Sequence, residues 1–269
     1  MKAAPVKTML ALLAVLLVAL PGFAQEVDWQ DMMKQSQKTE IWEPVPPVVT
    51  PGETPASAPS DAVLLFDGTG LDAWQSDDPS KPVGWIVQDG VLTVNKAAGG
   101  ITTKESFTDY QLHLEYKIPE NITGESQSRG NSGIFLGYMG MEGPFEMGYE
   151  VQILDNYNNK TYVNGQAGAV YKQGIPLANA CKKPGQWQVY DIIWKAPKFK
   201  EDGSLLSPAY VTVIHNGVLL QNHFELKGGT LWIGQPSYKA HGPLPLHIQS
   251  HGDPSPAVSF RNIWLRPLS

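Results

Sequence analysis

From Ala62 onward the chain breaks into short apolar segments of period two, parted by Gly, Pro, Asn or Asp, and no stretch there has helical periodicity. Successive side chains of a strand face opposite sides, so each segment has one apolar face to bury, and a second layer must cover it. Tyr110, Leu112, Leu114, Tyr116 and Ile118 alternate in this way. Asp89-Gly90 and Asn216-Gly217 read as two-residue hairpin turns. At least ten strands without helical crossovers predict an all-β domain of two packed antiparallel sheets, a jelly-roll sandwich, over residues 60–269.

What precedes this domain reads differently. Lys2 and Lys7, an apolar run from Met9 to Leu20 and the small residues Gly22 and Ala24 form a signal-peptide pattern. Residues 1–24 are therefore expected to direct export to the periplasm or beyond, with cleavage after Ala24. The apolar run is short for a bilayer-spanning helix, so no transmembrane anchor is expected. Residues 25–59 read as a Pro-rich arm, with a short helix over 28–40 and then polyproline-type chain in which Trp42 could anchor. With Cys181 as the only cysteine, no internal disulfide is available and stability has to come from the core. The formal charge is −6, or −8 without Lys2 and Lys7, and nothing basic clusters, which argues against nucleic acid. Eight Trp favour a carbohydrate ligand, whose ring faces stack on aromatics. The oligomeric state is left open.

Two segments hold the candidate chemistry. In Glu146–Asp155, alternation sends Tyr149, Val151 and Ile153 to the core, and Glu150 and Gln152 to the opposite, exposed face. Asn131, Ser132 and Gly133 open the preceding strand, and their small size suggests a groove. In 244–251, Leu246, Ile248 and Ser250 lie on one face and His247, Gln249 and His251 on the other. If these strands share a sheet, Glu150, Gln152, Gln249 and His251 make one polar floor. A carboxylate beside an imidazole suits proton transfer, with Glu150 and His251 as the catalytic pair. Tyr171 and Lys172, in a long loop over 156–185, could reach over a ligand, and Arg261 could pair with an acid of the floor. Glu150, Asp155 and His251 are candidate ligands of a divalent cation, a transition metal or, on oxygen ligands, Ca²⁺. Glu115 and Glu146 are weaker partners for Glu150, the first alternating outward as a surface residue and the second ending a Gly/Met loop. Neither a zinc spacing nor a Gly-x-Ser-x-Gly elbow occurs.

Leu65-Phe-Asp-Gly-Thr-Gly-Leu-Asp-Ala-Trp74, Gly130-Asn-Ser-Gly-Ile134, Tyr149-Glu-Val-Gln-Ile-Leu-Asp155, Pro184-Gly-Gln-Trp187, Ile248-Gln-Ser-His-Gly252 and Phe260-Arg-Asn-Ile263 together resemble the 3-keto-disaccharide hydrolase family, formerly a domain of unknown function. The resemblance spans residues 61 to 268. It implies a concanavalin A-like sandwich and action on glycosides whose C3 hydroxyl is oxidised to a ketone. The ketone acidifies the C2 proton, so a base can remove it and the C1–O bond can break by elimination. The matched positions make one of Glu150 and His251 the base and the other the acid, in either order, with Asn131, Gln152 and Asp155 on the sugar or its enolate. A non-catalytic, lectin-like carbohydrate-binding protein is the rival reading. A glucanase-type glycosidase, which needs two carboxylates, is the third.

Overall fold

The computed structural model describes residues 28–268; the expected signal peptide lies outside them. The chain divides into two compact units, one ending at Val48 and the other opening at Val49. In the first, helix α1 (Trp29–Gln37) starts where the Asp28 carboxylate accepts from the main-chain N–H groups of Gln30 and Asp31. None of its residues is buried, and Trp42 is exposed as well. No helix among the described residues is long and apolar enough to cross a membrane.

The second unit holds fifteen strands. In chain order they are β1 (Val63–Phe66), β2 (Trp74–Ser76), β3 (Ile86–Gln88), β4 (Val91–Thr93), β5 (Ile101–Phe107), β6 (Tyr110–Lys117), β7 (Ser132–Glu142) and β8 (Phe145–Ile153). There follow β9 (Trp187–Lys195), β10 (Lys198–Phe199), β11 (Leu205–Ser207), β12 (Tyr210–His215), β13 (Val218–Glu225), β14 (Leu244–Ile248) and β15 (Ser259–Pro267). All pairings are antiparallel. One large sheet runs β13-β12-β9-β6-β15-β4-β3, with β1 also on β15; the other runs β2-β5-β14-β7-β8, and β10 and β11 pair as a separate two-stranded ribbon. The domain is a jelly-roll β-sandwich, and its core is the apolar faces of the two sheets. Tyr110, Leu112, Leu114 and Tyr116 from β6 oppose Ile134, Tyr149, Val151, Ile153, Leu246 and Ile248, all nearly solvent-free.

The outer face of the larger sheet is less open than alternation suggests. His113 and Glu115, on the outward parity of β6, are buried. Part of the Pro-rich segment crosses that face, where the Ala56 carbonyl accepts from Asn262 Nδ2 (2.8 Å) and Trp264 Nε1 (2.9 Å). Glu115 takes Arg261 Nε at 2.7 Å, and the Arg261 guanidinium lies 4.2 Å from the Trp187 ring centre. Arg261 therefore does not meet an acid of the predicted floor. It sits in β15, in the other sheet, and its partner is Glu115, which is thereby excluded as a companion carboxylate for Glu150.

Candidate active site

The smaller sheet carries the site. His247 of β14 is in register with Phe135 of β7, which is in register with Glu150 of β8; two residue pairs along, Gly133 faces Gln152 and its carbonyl accepts from the Gln249 N–H. The two candidate strands thus share a sheet with β7 between them. Gly133 is needed in that middle strand, because a Cβ there would stand 2.6 Å from Glu150 Oε1.

Glu150 and Gln152 are not on a solvated face: only 6% and 1% of their surfaces are exposed. Strand β8 is the edge of its sheet, and two loops have bonded to it. Gln152 N donates to Ala169 O, Gly168 N to Gln152 O and Tyr171 N to Glu150 O, while Thr230 Oγ1 accepts from Glu150 N and Thr230 N donates to Gly148 O. The loops satisfy the open edge and roof the face beside it, leaving a cavity of about 670 Å³, within the usual range for a small-molecule site.

Of the residues expected at the site, Asn131, Glu150, Gln152, Tyr171, Gln249 and His251 line this cavity. The others are placed elsewhere. Ser132 Oγ donates to Gln249 O at 2.7 Å, tying β7 to the end of β14. Asp155 is held by Arg129 Nε at 2.6 Å and caps Tyr157 N, so its carboxylate is spent on the loop after β8. Lys172 Nζ donates to Trp232 O at 2.5 Å, which links the two roofing loops. His247 lies on the Glu150 face of the sheet but is fully buried, stacked on Tyr138 at 4.0 Å, with Nδ1 3.0 Å from Thr102 Oγ1 and Nε2 3.2 Å from Glu146 Oε1.

Several lining residues are not evident from alternation. Glu146 reaches the cavity, its second oxygen bonded by Gln249 Nε2. Asp77 comes from the turn after β2, with Oδ2 accepting from Gly100 N at 2.7 Å. Asp77, Glu146 and His247 each present a ligand atom within 4.8 Å of the others, a donor set suited to a divalent ion. Among the described residues this trio, and not Glu150, Asp155 and His251, is the cluster that converges. Gln127 orders the far end of the cavity. Its Nε2 donates to Thr161 Oγ1 and Gly165 O, so its Oε1 accepts from Gln152 Nε2 (2.9 Å), and its carbonyl accepts from Asn131 Nδ2 (2.8 Å). Asn131 Oδ1 and Gln152 Oε1 are thereby turned away from protein donors. Together with Ser250 Oγ they are buried without a partner among the described residues, and all three residues line the cavity.

The electrostatics separate the acids. Burial, with the Glu146 charge added to it, pushes the Glu150 carboxyl well above the usual carboxylate range. Burial would also raise Asp253, but hydrogen bonds from His251, from Ser255 and from Lys96 outweigh it and hold that carboxyl low. Asp253 Oδ2 lies 2.9 Å from His251 Nδ1, which leaves Nε2 as the nitrogen of His251 available to a ligand. Burial raises the Tyr171 and Tyr162 hydroxyls as well; they lie 2.6 Å apart in the roof.

A family model for the 3-keto-alpha-glucoside-1,2-lyase-like domain matches residues 61–266. The chain belongs to this family. Among solved structures, a candidate glycosyl hydrolase from Parabacteroides distasonis ATCC 8503 is 57% identical with TM-score 0.78, over 86% of this chain and 96% of that one. Two further candidate glycosyl hydrolases of that organism, each 23% identical over 77% of this chain, share the fold: TM-score 0.58 with 94% of the relative covered, and 0.53 with 99%. A comparison with curated proteins finds no match. Membership of the 3-keto-alpha-glucoside-1,2-lyase-like family makes the chain one of the carbohydrate-processing hydrolases and lyases.

Proposed function

We propose that this protein cleaves 3-keto-glycosides by elimination across C1 and C2, followed by hydration. The observation that carries the reading is Glu150: a carboxyl on the floor of a sugar-sized cavity, buried and held above the usual carboxylate range beside a second carboxylate. A carboxyl raised in this way holds its proton more tightly than an ordinary carboxylate and suits the role of proton donor, as general acids with raised pKa do. His251, oriented by Asp253 through Nδ1, is the base. His251 Nε2 removes the C2 proton, the C–H pair becomes an enolate with the C3 ketone, and the enolate expels the C1 oxygen. The leaving oxygen takes the Glu150 proton. The hydration restores both groups: water adds its oxygen to C1 and gives a proton to Glu150, while protonated His251, exchanged with solvent, delivers a proton to C2, so the balance is glycoside plus water giving 3-keto sugar plus alcohol. Asn131 Oδ1 and Gln152 Oε1 accept sugar hydroxyls. No oxocarbenium ion is required, in contrast to ordinary glycoside hydrolysis.

Asp77, Glu146 and His247 would hold a divalent ion, which would supply Lewis acidity toward the enolate oxygen when bound. One observation favours a second reading. Glu146 and Glu150 share a strand face within the same cavity, and two carboxylates are what a conventional glycosidase uses. The test is cleavage of a 3-keto-glucoside and of the unoxidised glucoside, with and without EDTA. Cleavage of the keto form alone, reduced at least about 10²-fold by Glu150→Gln or His251→Ala, is expected. Cleavage of the unoxidised sugar would give the site to conventional hydrolysis. Saturable binding of both sugars with no cleavage of either would make it a lectin-like site, and loss of activity in EDTA would assign the trio a metal.

A further inference from the structure

The cavity has two unlike ends, and β8 supplies the axis between them. Gln152, Glu150 and Glu146 lie on one face of that strand and Phe145 opens it; seven residues, roughly 20 Å of strand, separate Phe145 from Gln152. At the Gln152 end stand the unpartnered acceptors Asn131 Oδ1 and Gln152 Oε1 and the unpartnered hydroxyl of Ser250. At the other end Phe145 and Trp232 stand 5.7 Å apart with their planes inclined by 43°. Trp232 is 57% and Phe145 38% exposed, although both line the cavity. Lys172 holds the Trp232 carbonyl and lies 5.9 Å from the Trp232 ring centre, so the main chain that carries this ring is tied to the opposite roofing loop.

Each end makes its own demand. Buried acceptors without donors require O–H groups, which a polyhydroxy ring supplies. Exposed aromatic faces at a cavity mouth take flat apolar surface, with the proton-transfer carboxyl between the two ends. We infer that the Asn131/Gln152 end holds the sugar that is cleaved at C1, and that the Phe145/Trp232 shelf is a leaving-group site selective for flat aromatic aglycones. A second sugar ring, which offers only its C–H face, ranks below an aryl group there, and a methyl group ranks last. The inference rests on the elimination reading for its chemistry but not for its binding.

The test compares phenyl and methyl 3-keto-glucosides of one anomeric configuration in the wild-type protein, Trp232→Ala and Trp232→Phe. Phenol is also the better leaving group, so the decisive quantity is the change in the phenyl-to-methyl ratio of kcat/KM. That ratio is expected to fall roughly tenfold in Trp232→Ala, mainly through KM, and to recover in Trp232→Phe. An unchanged ratio in Trp232→Ala would overturn the shelf. Calorimetry with the unoxidised phenyl and methyl glucosides separates the two readings. If neither keto-glycoside is cleaved but phenyl glucoside binds about tenfold tighter, in a manner lost in Trp232→Ala, the elimination reading fails and the shelf stands. Equal affinity for the two glucosides would overturn the shelf whatever the chemistry.

Discussion

Glu150 occupies a strand position that alternation assigns to solvent, and it leaves water only because two loops bond to the edge of its own strand. Its titration should therefore be visible in stability. Folded Glu150 binds its proton more tightly than the unfolded chain does, so the native state holds more protons above the ordinary value of 4.5 and loses stability as pH rises. Glu150→Gln removes that loss. Its melting temperature should draw ahead of the wild type as pH rises past 4.5 and level off once the folded group has ionised; a pH-independent gap would contradict the burial. Gly133 is the complementary case. A Cβ 2.6 Å from Glu150 Oε1 meets the far end of a flexible side chain, so Gly133→Ala should fold normally but displace the carboxyl. We expect kcat on a 3-keto-glucoside to fall about 10²-fold with little change in melting temperature. Unaltered kcat would show that the carboxyl's position does not matter.

At the scale of elements, the alternating strands were legible because each has one apolar face. Tyr110–Ile118 and Tyr149–Ile153 bury the residues that parity selects. Strand β5 was not legible, because Ile101, Thr102 and Thr103 are all buried while Lys104, Glu105 and Ser106 are exposed, a pattern without period two. Parity also assigns a face without saying what covers it. Glu146 reads as a loop end, yet β8 begins one residue before it and carries it onto the Glu150 face. Asp77 has no periodic signal at all; only the pairing of β2 with β5 brings it to Gly100 and His247. The same limit applies to β15, whose register against β6 shifts between Arg261 and Trp264. There Asn262 adopts φ +47° and its Nδ2 donates to Ala56 O and Glu115 Oε1. Asn262→Ala would keep a left-handed backbone at a non-glycine residue and leave buried acceptors a donor short. Urea denaturation should register a loss of roughly 2–3 kcal/mol. A loss below about 0.5 kcal/mol would mean that the Pro-rich segment adds little to this face.

For the molecule as a whole, the sandwich brings six of the expected site residues to one cavity and sends Arg261 to the opposite sheet. Sequence could supply the strands and the family motifs but not the sheet order, since it is the insertion of β7 between β14 and β8 that spaces Gln249 from Gln152. The central claim is that bond cleavage at C1 begins with loss of the C2 proton, and isotope exchange at that carbon tests it most directly. The protein would be given a 3-keto-glucoside in D2O, with early samples read by NMR against the exchange of the free 3-keto sugar without protein. The account predicts one deuterium at C2 for each alcohol released, from the earliest time points. Release of the alcohol with the C2 hydrogen still in place would contradict it and assign the cleavage to direct displacement at C1.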